Sequence, residues 1–349
     1  MKAALYQAAG SIHVGDVPPP RPGKGEVQIR VHSCGICGTD IHLFKGMKVG
    51  AFSARPGLIF GHEFGGIVTM VGEEVPAEIA VGNRVVVEPN IGCGKCKSCL
   101  AGDYVLCEHG QRIIGIHRNG AFAEYAVAPH EKVFAIPPGV SMAAASVLEP
   151  FAICVYGILR APLLPGDVVA ILGTGVSAHH FTMLAKACGC SKVILAGPNE
   201  ARLSLGRKLG ADVTINTREK DLVEEVMQET GGRGADYVFE AAGVQQSLQN
   251  MVKIAANRAR ICMYSVPVEP VHDVNFADFL FKDVTFVTAC GAQNTFPRAI
   301  RIAATGKVNL EGVITHAFAL DEIQKAFEVV DQRLDGVGKA VVVVNPDIR

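Results

Sequence analysis

The sequence lacks an excess of charge of either sign. Its 349 residues include 33 Lys and Arg against 34 Asp and Glu, which gives a formal net charge of −1 at pH 7. Without a surplus of basic residues, the chain carries no net positive charge that would attract nucleic acid or an anionic membrane. This balance argues against a nucleic-acid binder of the zinc-finger type and favours small-molecule partners.

Long apolar runs are missing as well, and so is tryptophan. No run approaches the roughly 18 apolar residues of a membrane helix, and residues 1–16 lack the sustained apolar core of a signal peptide. The contents of 49% hydrophobic and 19% charged residues are nevertheless those of a globular protein. We therefore expect a cytoplasmic protein without a membrane partner, and its length favours two domains.

Cysteine is not scarce, because the chain has eleven. An odd number in a reducing compartment argues against a disulfide framework. Four of them lie in GCGKCKSCLAGDYVLC, where Cys93, Cys96 and Cys99 repeat at every third residue and Cys107 closes the stretch. Such spacing lets one loop wrap its thiolates around a tetrahedral zinc ion. We interpret the stretch as a structural zinc loop, the alternative being four free cysteines.

The pattern of apolar residues changes along the chain. The first third contains short β segments broken by Gly and Pro, namely EVQIRVHSCG, FGGIVTMVG, NRVVVEP and AFAEYAVAP, which predict a compact β domain. From about residue 150, strands such as DVVAILG, KVILAG, VTIN and ADYVFEAAG alternate with helical patterns. That alternation predicts an α/β fold with a doubly wound parallel sheet. Two further helical patterns and the apolar strand KAVVVV follow residue 290.

The segment ILGTGVSA follows a predicted strand and opens a predicted helix. In that context a G-x-G-x-x-G type turn binds the pyrophosphate of a dinucleotide at the helix N-terminus. Gly173 permits the tight turn, Gly175 lets the backbone approach the pyrophosphate, and Ala178 is the small third residue. We predict Gly173, Gly175 and Val176 as cofactor-binding residues. The alternative is an ordinary turn between a strand and a helix.

The end of the second strand usually carries an acid that binds the adenosine ribose. In VILAGPNEAR that position falls on Gly197, so the usual reason to exclude a 2′-phosphate is absent. Asn199 and Arg202 are nearby candidates to contact the ribose or its phosphate. NAD and NADP both remain open as the cofactor.

Candidates for a reacting centre lie in three separate stretches. CGICGTDIHLFKG contains Cys37, Thr39, Asp40 and His42; GHEFGG contains His62 and Glu63; LEPFAI contains Glu149. A catalytic zinc takes three protein ligands and keeps one open position, and mixed sulfur, nitrogen and oxygen ligands suit it. Taken singly, each of these residues also has an ordinary structural explanation.

Together the motifs GICGTDIH, GHEFGGIV, GCGKCKSCLAGDYVLC, GIHRNGAFAEYAV and LGTGVSA carry a family resemblance. Over essentially its full length the chain resembles the zinc-containing branch of the medium-chain dehydrogenase/reductase superfamily. It is most similar to the polyol, threonine and sugar-acid dehydrogenases, which have Glu in LEPFAI where classical alcohol dehydrogenases have a zinc-binding Cys. The resemblance implies a Rossmann sheet over residues 151–289 and a mostly-β GroES-like catalytic domain over residues 1–150 and 290–349.

The resemblance also implies roles for the candidate residues. Cys37, His62 and Glu149 would hold the catalytic zinc. Glu63 would either bind that zinc directly or lie immediately behind its ligands and support them. Thr39 would take the substrate proton and His42 would pass it to solvent. The structural zinc would be held by the four loop cysteines, Cys93, Cys96, Cys99 and Cys107. Cys154 would be a core residue and not a ligand.

The implied activity is hydride transfer between a secondary alcohol and NAD or NADP, with zinc in the catalytic site. The alcohol would be a polyol, a sugar acid or a related hydroxy compound, and the protein a homo-oligomer, dimeric or tetrameric. The alternative is a catalytically inactive sensor of the same fold that binds zinc and dinucleotide. Five side chains are candidates for the substrate pocket or its loops: Phe44, Lys45, Arg112, His117 and Arg118. The lysine and the two arginines among them could contact a carboxylate or phosphate of the substrate, which would favour a sugar acid, with surface charges as the other explanation.

Overall fold

Two sheets organise the chain in a computed structural model that describes residues 1–50, 52–267 and 269–348. Backbone contacts divide the chain into two units. Unit 1 comprises Met1–Glu149, Gly291–Gly306 and the chain from Ile314 onward. Unit 2 comprises Pro150–Cys290 and Lys307–Val313. The roles predicted for the two domains stay predictions.

Unit 1 is mostly β. Its strands are β1 (Lys2–Ala8), β2 (Ser11–Asp16), β3 (Glu26–Gly35), β4 (Glu63–Val71), β5 (Arg84–Val87), β6 (Asn90–Ile91), β7 (Arg112–Ile113), β8 (Tyr125–Pro129) and β9 (Val133–Ala135), followed late in the chain by β16 (Ile314–Ala319) and β17 (Lys339–Val343). The main sheet runs β16-β17-β3-β4-β5-β9, and β8 also pairs with β3. Only the β16–β17 pair of this sheet is parallel. β3 is central, and Val27, Ile29 and Val31 on it are wholly buried.

Short helices complete unit 1. They are α1 (Gly38–Phe44), α2 (Lys97–Leu100), α3 (Met142–Ala145), α10 (Phe296–Ala304) and α11 (Ile323–Asp331), with 3-10 turns at Tyr104–Leu106, His130–Lys132, Leu320–Glu322 and Leu334–Gly336. Phe327 of α11 contacts the rings of Phe44, Phe60 and Phe122, at centroid distances of 5.1–6.4 Å. This aromatic group packs α1 and the segment immediately before β4 into one core.

Unit 2 is a parallel sheet with helices between its strands. Its strands are β10 (Val168–Leu172), β11 (Lys192–Gly197), β12 (Val213–Asn216), β13 (Ala235–Glu240), β14 (Ala255–Met263) and β15 (Thr285–Thr288). Its helices are α5 (Val176–Ala187), α6 (Glu200–Lys208), α7 (Leu222–Glu229), α8 (Gln245–Asn250) and α9 (Phe276–Phe281), with a 3-10 turn at Glu311–Val313. The order β12-β11-β10-β13-β14-β15 is that of the Rossmann fold, and it reverses between β10 and β13.

Most predicted elements are present, and one helical pattern differs. EVQIRVHSCG, KVILAG and VTIN coincide with β3, β11 and β12. The helical pattern over residues 141–161 is two helices, α3 and α4 (Leu148–Arg160), because Ser146 ends the first and Pro150 is tolerated only in the first turn of the second. The edge strand β16 was not predicted; its alternate residues are exposed, so its sequence lacks a continuous apolar signal.

Within the part of the chain that the structure describes, no helix has both the length and the apolar character of a membrane span.

Candidate zinc centres and dinucleotide site

Strand pairing in unit 1 gathers residues that are far apart in the sequence. Gly35, the last residue of β3, pairs with Glu63, the first residue of β4. One ligand atom from each of Cys37, His62 and Glu63 lies within 4.8 Å of the others, and we call this group the strand-end cluster. Gly35 is required here, because a side chain at that position would collide with the Glu63 carboxylate. The pairing register therefore places a thiol, an imidazole and a carboxylate together.

Asp40 orients the imidazole of this cluster. Asp40 is wholly buried on α1; one of its oxygens accepts from the backbone N–H of Cys37 at 2.9 Å, and the other lies 3.4 Å from His62 Nδ1. Burial lowers the pKa of His62, but the charges of Asp40 and Cys37 outweigh it and hold the pKa well above its usual range. With Nδ1 facing a carboxylate, Nε2 is the ring nitrogen available to a metal, which is the usual arrangement for metal-bound histidine.

Lys339 is the counter-ion of the cluster. It begins β17, is 2% exposed, forms an ion pair with Glu63 and donates a hydrogen bond to the carbonyl of Ile36 at 2.9 Å. Burial lowers the pKa of Lys339, whereas the charge of Glu63 raises it, and the net shift is upward. Asp40 was a candidate from the sequence without an assigned role, whereas Lys339 was not predicted. The available signal for the second was a single lysine at the start of an otherwise apolar strand.

Glu149 stands in the first turn of α4 and is buried at 5% exposure. Burial, followed by the charge of Glu63, raises the pKa of Glu149 to about 8. Among the described residues its carboxylate is not part of the group whose ligand atoms all lie within 4.8 Å of one another. The structure therefore places it in the electrostatic field of the cluster but not inside it, and its role as a ligand stays a prediction.

The two residues predicted to relay a proton share α1. Thr39 and His42 are both half-buried and three positions apart, which places them on the same side of the helix. Cys37 immediately precedes this helix. The two relay candidates therefore lie on a helix that begins directly after a candidate zinc ligand. The roles of all three residues stay predictions.

The donor set of the strand-end cluster fits zinc. Sulfur, imidazole nitrogen and carboxylate oxygen are its usual ligands. Asp40, Glu63 and Glu149 are three carboxylates at most 5% exposed, and Lys339 is the cation paired with one of them. Keeping all three ionised in the interior is costly unless a cation offsets their charge, and the raised pKa of Glu149 reflects that cost. A divalent metal ion would supply that charge.

The four loop cysteines form a second group, the loop cluster. The sulfurs of Cys93, Cys96, Cys99 and Cys107 all lie within 4.8 Å of one another. Backbone N–H groups of the loop point at these sulfurs at 3.4 Å, from Cys93 to Cys107, from Cys96 to Cys93 and from Cys99 to Cys96. Such N–H groups favour the thiolate, and that of Lys95 is the largest cause that lowers the pKa of Cys93 to about 6. A closed set of four thiolates is the donor set of a structural zinc.

The predicted dinucleotide turn connects β10 to α5 in unit 2. Gly173 has φ +114, a conformation that favours glycine, and a side chain there would lie 3.0 Å from the backbone of Ala241. Gly175 caps α5, whose first residue is Val176, and a Cβ at Gly175 would meet nothing within 4 Å. The open backbone at the N-terminus of a twelve-residue helix suits a pyrophosphate.

Gly197 ends β11, as predicted from the sequence. A Cβ at Gly197 would lie 2.7 Å from Cγ2 and 3.1 Å from Oγ1 of Thr174, so Thr174 occupies the space beside the glycine. Asn199 caps α6 by accepting from the backbone N–H of Arg202 at 3.0 Å. The side chain of Asn199 thus has a structural role beside any contact with a cofactor, and the cofactor roles of all three predicted residues stay predictions.

The other candidate contacts have local explanations. Lys45 pairs with Asp331 at 3.0 Å, and Arg118 pairs with Glu26 at 2.9 Å. Phe44 is buried in the core of unit 1. The remaining two, Arg112 and His117, are exposed and half-buried respectively. Cys154 is wholly buried, as expected of a core residue.

Comparison with known proteins decides the family. The alcohol dehydrogenase GroES-like domain matches residues 23–138, and the zinc-binding dehydrogenase family matches residues 178–305. L-threonine 3-dehydrogenase of Bacillus velezensis is 34% identical over 330 residues, which covers 94% of each chain. The chain belongs to the zinc-binding alcohol dehydrogenase family.

Further members of the family resemble the chain over nearly its whole length. Sorbitol dehydrogenase of Bacillus subtilis is 31% identical over 94% of this chain and 93% of its own. A zinc-binding dehydrogenase of Sinorhizobium meliloti, solved bound to NADP, is 33% identical with a TM-score of 0.90 over 98% of both chains. The predicted family, the α/β fold class, the dehydrogenase activity and the zinc cofactor are confirmed. The activity is favoured over the inactive sensor.

Proposed function

We propose that the chain oxidises a secondary hydroxyl of a small polyol, sugar acid or hydroxy amino acid to a ketone, with NADP or NAD as the hydride acceptor. The observation that carries the proposal is the strand-end cluster, where Cys37, His62 and Glu63 offer ligand atoms within 4.8 Å of one another. Similarity to a threonine dehydrogenase and a sorbitol dehydrogenase supports the substrate class.

Zinc would be held by Cys37 and His62, with Glu149 as the third ligand. Glu63 is the exchangeable carboxylate, because its ion pair with Lys339 gives it a second stable partner. When bound, zinc acts as a Lewis acid on the substrate hydroxyl and the nicotinamide accepts the hydride. Asp40 holds His62 in the orientation that presents Nε2.

The hydroxyl proton is assigned to Thr39 and then to His42. Thr39 Oγ1 accepts the substrate proton as it gives up its own hydroxyl proton, and the released proton leaves to bulk water by way of His42, one turn later on α1. An imidazole is the side chain best suited to exchange protons near neutral pH. The two residues act as positioned acid–base groups, while the ligands hold the metal.

We assign NADP as an accepted cofactor. Gly197 places no carboxylate at the end of β11, so the usual repulsion of a 2′-phosphate is absent at that position. Arg202, half-buried in the first turn of α6, is the nearest guanidinium to that strand end in the sequence. The NADP-bound dehydrogenase of Sinorhizobium meliloti supports the assignment by similarity.

Turnover assays test the activity. Purified protein is assayed with sorbitol, L-threonine and a sugar acid, each with NAD and with NADP, by absorbance of the reduced nicotinamide. We expect one of these classes to be oxidised with conventional saturation kinetics. Protein that binds zinc and dinucleotide but turns over no alcohol and no ketone would contradict the proposal and favour the inactive sensor.

A double variant tests cofactor selectivity. In Gly197→Asp alone the new side chain would collide with Thr174, so this substitution is combined with Thr174→Ala. The single variant Thr174→Ala serves as the control for the double variant. A carboxylate at the strand end should shift the ratio of kcat/KM values towards NAD by at least about tenfold, since a charged hydrogen bond or a like-charge clash is worth about 1.5–3 kcal/mol. A wild type that rejects NADP, together with an unchanged double variant, would contradict the assignment.

A homo-oligomer, dimeric or tetrameric, and a cytoplasmic location complete the proposal. Phe276 and Leu280, four residues apart on α9 and so on one side of it, are 74% and 76% exposed, and Phe281 at its end is 82% exposed. Monomeric proteins seldom leave large apolar side chains grouped in this way. The eleven cysteines, all within the described residues, form no disulfide, which suits a reducing compartment. Light scattering on wild type and Phe281→Glu tests the assembly; a monomeric wild type would contradict it.

A further inference from the structure

A buried carboxylate in unit 2 has no part in the chemistry described above. Glu240 is the last residue of β13 and is 0% exposed. A carboxylate removed from water is costly unless donors satisfy it. The donors found here are two backbone N–H groups and two hydroxyls, and none of them is a cation.

These four donors come from different segments. Oε1 accepts from the N–H groups of Ala242 at 3.0 Å and Gly243 at 2.9 Å and from the hydroxyl of Ser247 at 2.7 Å. Oε2 accepts from the hydroxyl of Ser265. One carboxylate thus ties together the loop after β13, the first turn of α8 and the segment after β14.

The tied segments are packed closely. A Cβ at Gly243, where φ is +67, would lie 3.1 Å from Cβ of Ser265 and 3.2 Å from its Oγ. On the other side, a Cβ at Gly173 would lie 3.0 Å from the backbone of Ala241 and 3.1 Å from that of Ala242. The loop held by Glu240 therefore lies against the predicted pyrophosphate turn.

The position of Glu240 in the sheet indicates what this loop serves. β13 pairs with β10 where the strand order reverses, and ligands of open α/β sheets bind outside the carboxyl ends of the strands at that point. Each half of a Rossmann sheet takes one half of the dinucleotide. Gly197 belongs to the half that takes the adenosine, whereas β13 and β14 belong to the half that takes the nicotinamide.

We propose that Glu240 is a positioning residue that fixes the loops after β13 and β14 as the wall of the nicotinamide half of the dinucleotide site. This inference rests on the proposed dinucleotide-linked function. Glu240 touches no reacting atom; it acts through the backbone of residues 241–243 and through Ser265. Its removal should weaken the binding of a whole dinucleotide while leaving the binding of the adenosine half unchanged.

The test compares binding of whole and half ligands. Dissociation constants are measured by calorimetry for NADPH and NADH, and for the fragments 2′-phosphoadenosine 5′-phosphate and AMP. The variants are Glu240→Gln, which keeps the shape but not the charge, and Ser265→Ala, which removes one of the four bonds. Ser191→Ala is the matched control, because its hydroxyl bonds the carbonyl of Gly166 at 2.7 Å at the opposite, amino end of the strands.

We expect Glu240→Gln to raise the Kd of the whole dinucleotide about tenfold and Ser265→Ala about threefold, since bonds to a charged group are the stronger ones. The fragment Kd should change less than about twofold in both variants, and Ser191→Ala should change neither value. Thermal melts accompany each variant, and Ser265→Ala keeps the test informative if Glu240→Gln fails to fold.

Three results would overturn the inference. Equal weakening of whole and half ligands would mean a merely structural role. An unchanged Kd in both variants, with a wild type that binds dinucleotide, would overturn the inference and leave the proposed function intact. A wild type that binds neither NADPH nor NADH would overturn the proposed function and this inference with it.

Discussion

The loop cluster comes from one short stretch of sequence, whereas the strand-end cluster is gathered from the ends of two paired strands. The loop cluster has four identical candidate ligands, and its own backbone N–H groups point at the sulfurs. The strand-end cluster has three chemically different candidate ligands, and other parts of unit 1 contact them. Asp40 faces His62, and Lys339 pairs with Glu63.

This difference separates a structural centre from a reactive one. Four thiolates close the coordination of a metal and leave no position for a substrate. Mixed ligands held by outside partners leave one position open and tune the ligands through their neighbours. We expect damage to the loop cluster to affect stability, and damage to the strand-end cluster to affect turnover.

Loss of a strand-end ligand should have the largest effect. His62→Ala should lower turnover by about a thousandfold or more, because the Lewis acid contributes several kcal/mol to the barrier reduction. The melting temperature should stay close to that of wild type. Initial rates and thermal melts check this, with His316→Ala as the control histidine on the exposed edge strand β16. Substantial turnover by His62→Ala would contradict the assignment of the strand-end cluster as the reactive centre.

Loss of the relay hydroxyl should come next. Thr39→Val should cut turnover by about 10²–10⁴-fold, the range for positioned acid–base groups, while zinc content and cofactor binding stay unchanged. Thr39→Ser keeps the hydroxyl and should restore most of the rate. If Thr39→Val and Thr39→Ser behave alike, with hydride transfer shown to limit the rate, Thr39 has no place in the relay.

A loop ligand should show the opposite pattern. Cys93→Ser should lower the melting temperature by about 10 °C, because structural zinc contributes folding free energy, while the protein that stays folded keeps most of its turnover. Cys188→Ser is the matched control, since both cysteines are half-buried and Cys188 lies outside the cluster. If Cys93→Ser lost turnover but kept its melting temperature, our assignment of the structural and the reactive centre would be reversed.

The smallest effect concerns pH in zinc-free protein. The folded-state pKa of Glu149 is about 8, so the folded state holds a proton that the unfolded state has released above its lower pKa. Stability should therefore fall, by up to a few kcal/mol, as the pH rises from about 5 to about 8. Glu149→Gln should flatten this slope in denaturant titrations. An equal slope in wild type and variant would assign the effect to another group.

The two clusters also differ in how far the sequence predicts them. The loop cysteines could be predicted from spacing alone, because a short loop confines its ligands whatever the surrounding fold. Cys37 and His62 were associated through family motifs, since their proximity depends on the register of β3 against β4. Lys339 lies far along the chain and reaches Glu63 only because β17 pairs with β3, so a lone lysine at the start of an apolar strand could not be connected with this cluster from the sequence.

A similar limit applies in unit 2. The turn at Gly173 and the strand ending at Gly197 follow from glycine placement and strand–helix alternation, and both are present as predicted. The proximity of Thr174 to Gly197 arises because β10 pairs with β11, and it was not foreseen. Pairing partners and their register depend on the whole sheet, whereas turns depend on a few adjacent residues.

Zinc content of three proteins tests the central claim most directly. Wild type, His62→Ala and Cys93→Ser are purified without chelator, and zinc per folded chain is measured by elemental analysis. Two independent centres predict about two zinc ions in wild type and about one in each variant, with turnover lost only in His62→Ala and thermal stability lost only in Cys93→Ser. A wild type with one zinc or none, or a variant that still holds two, would contradict the account.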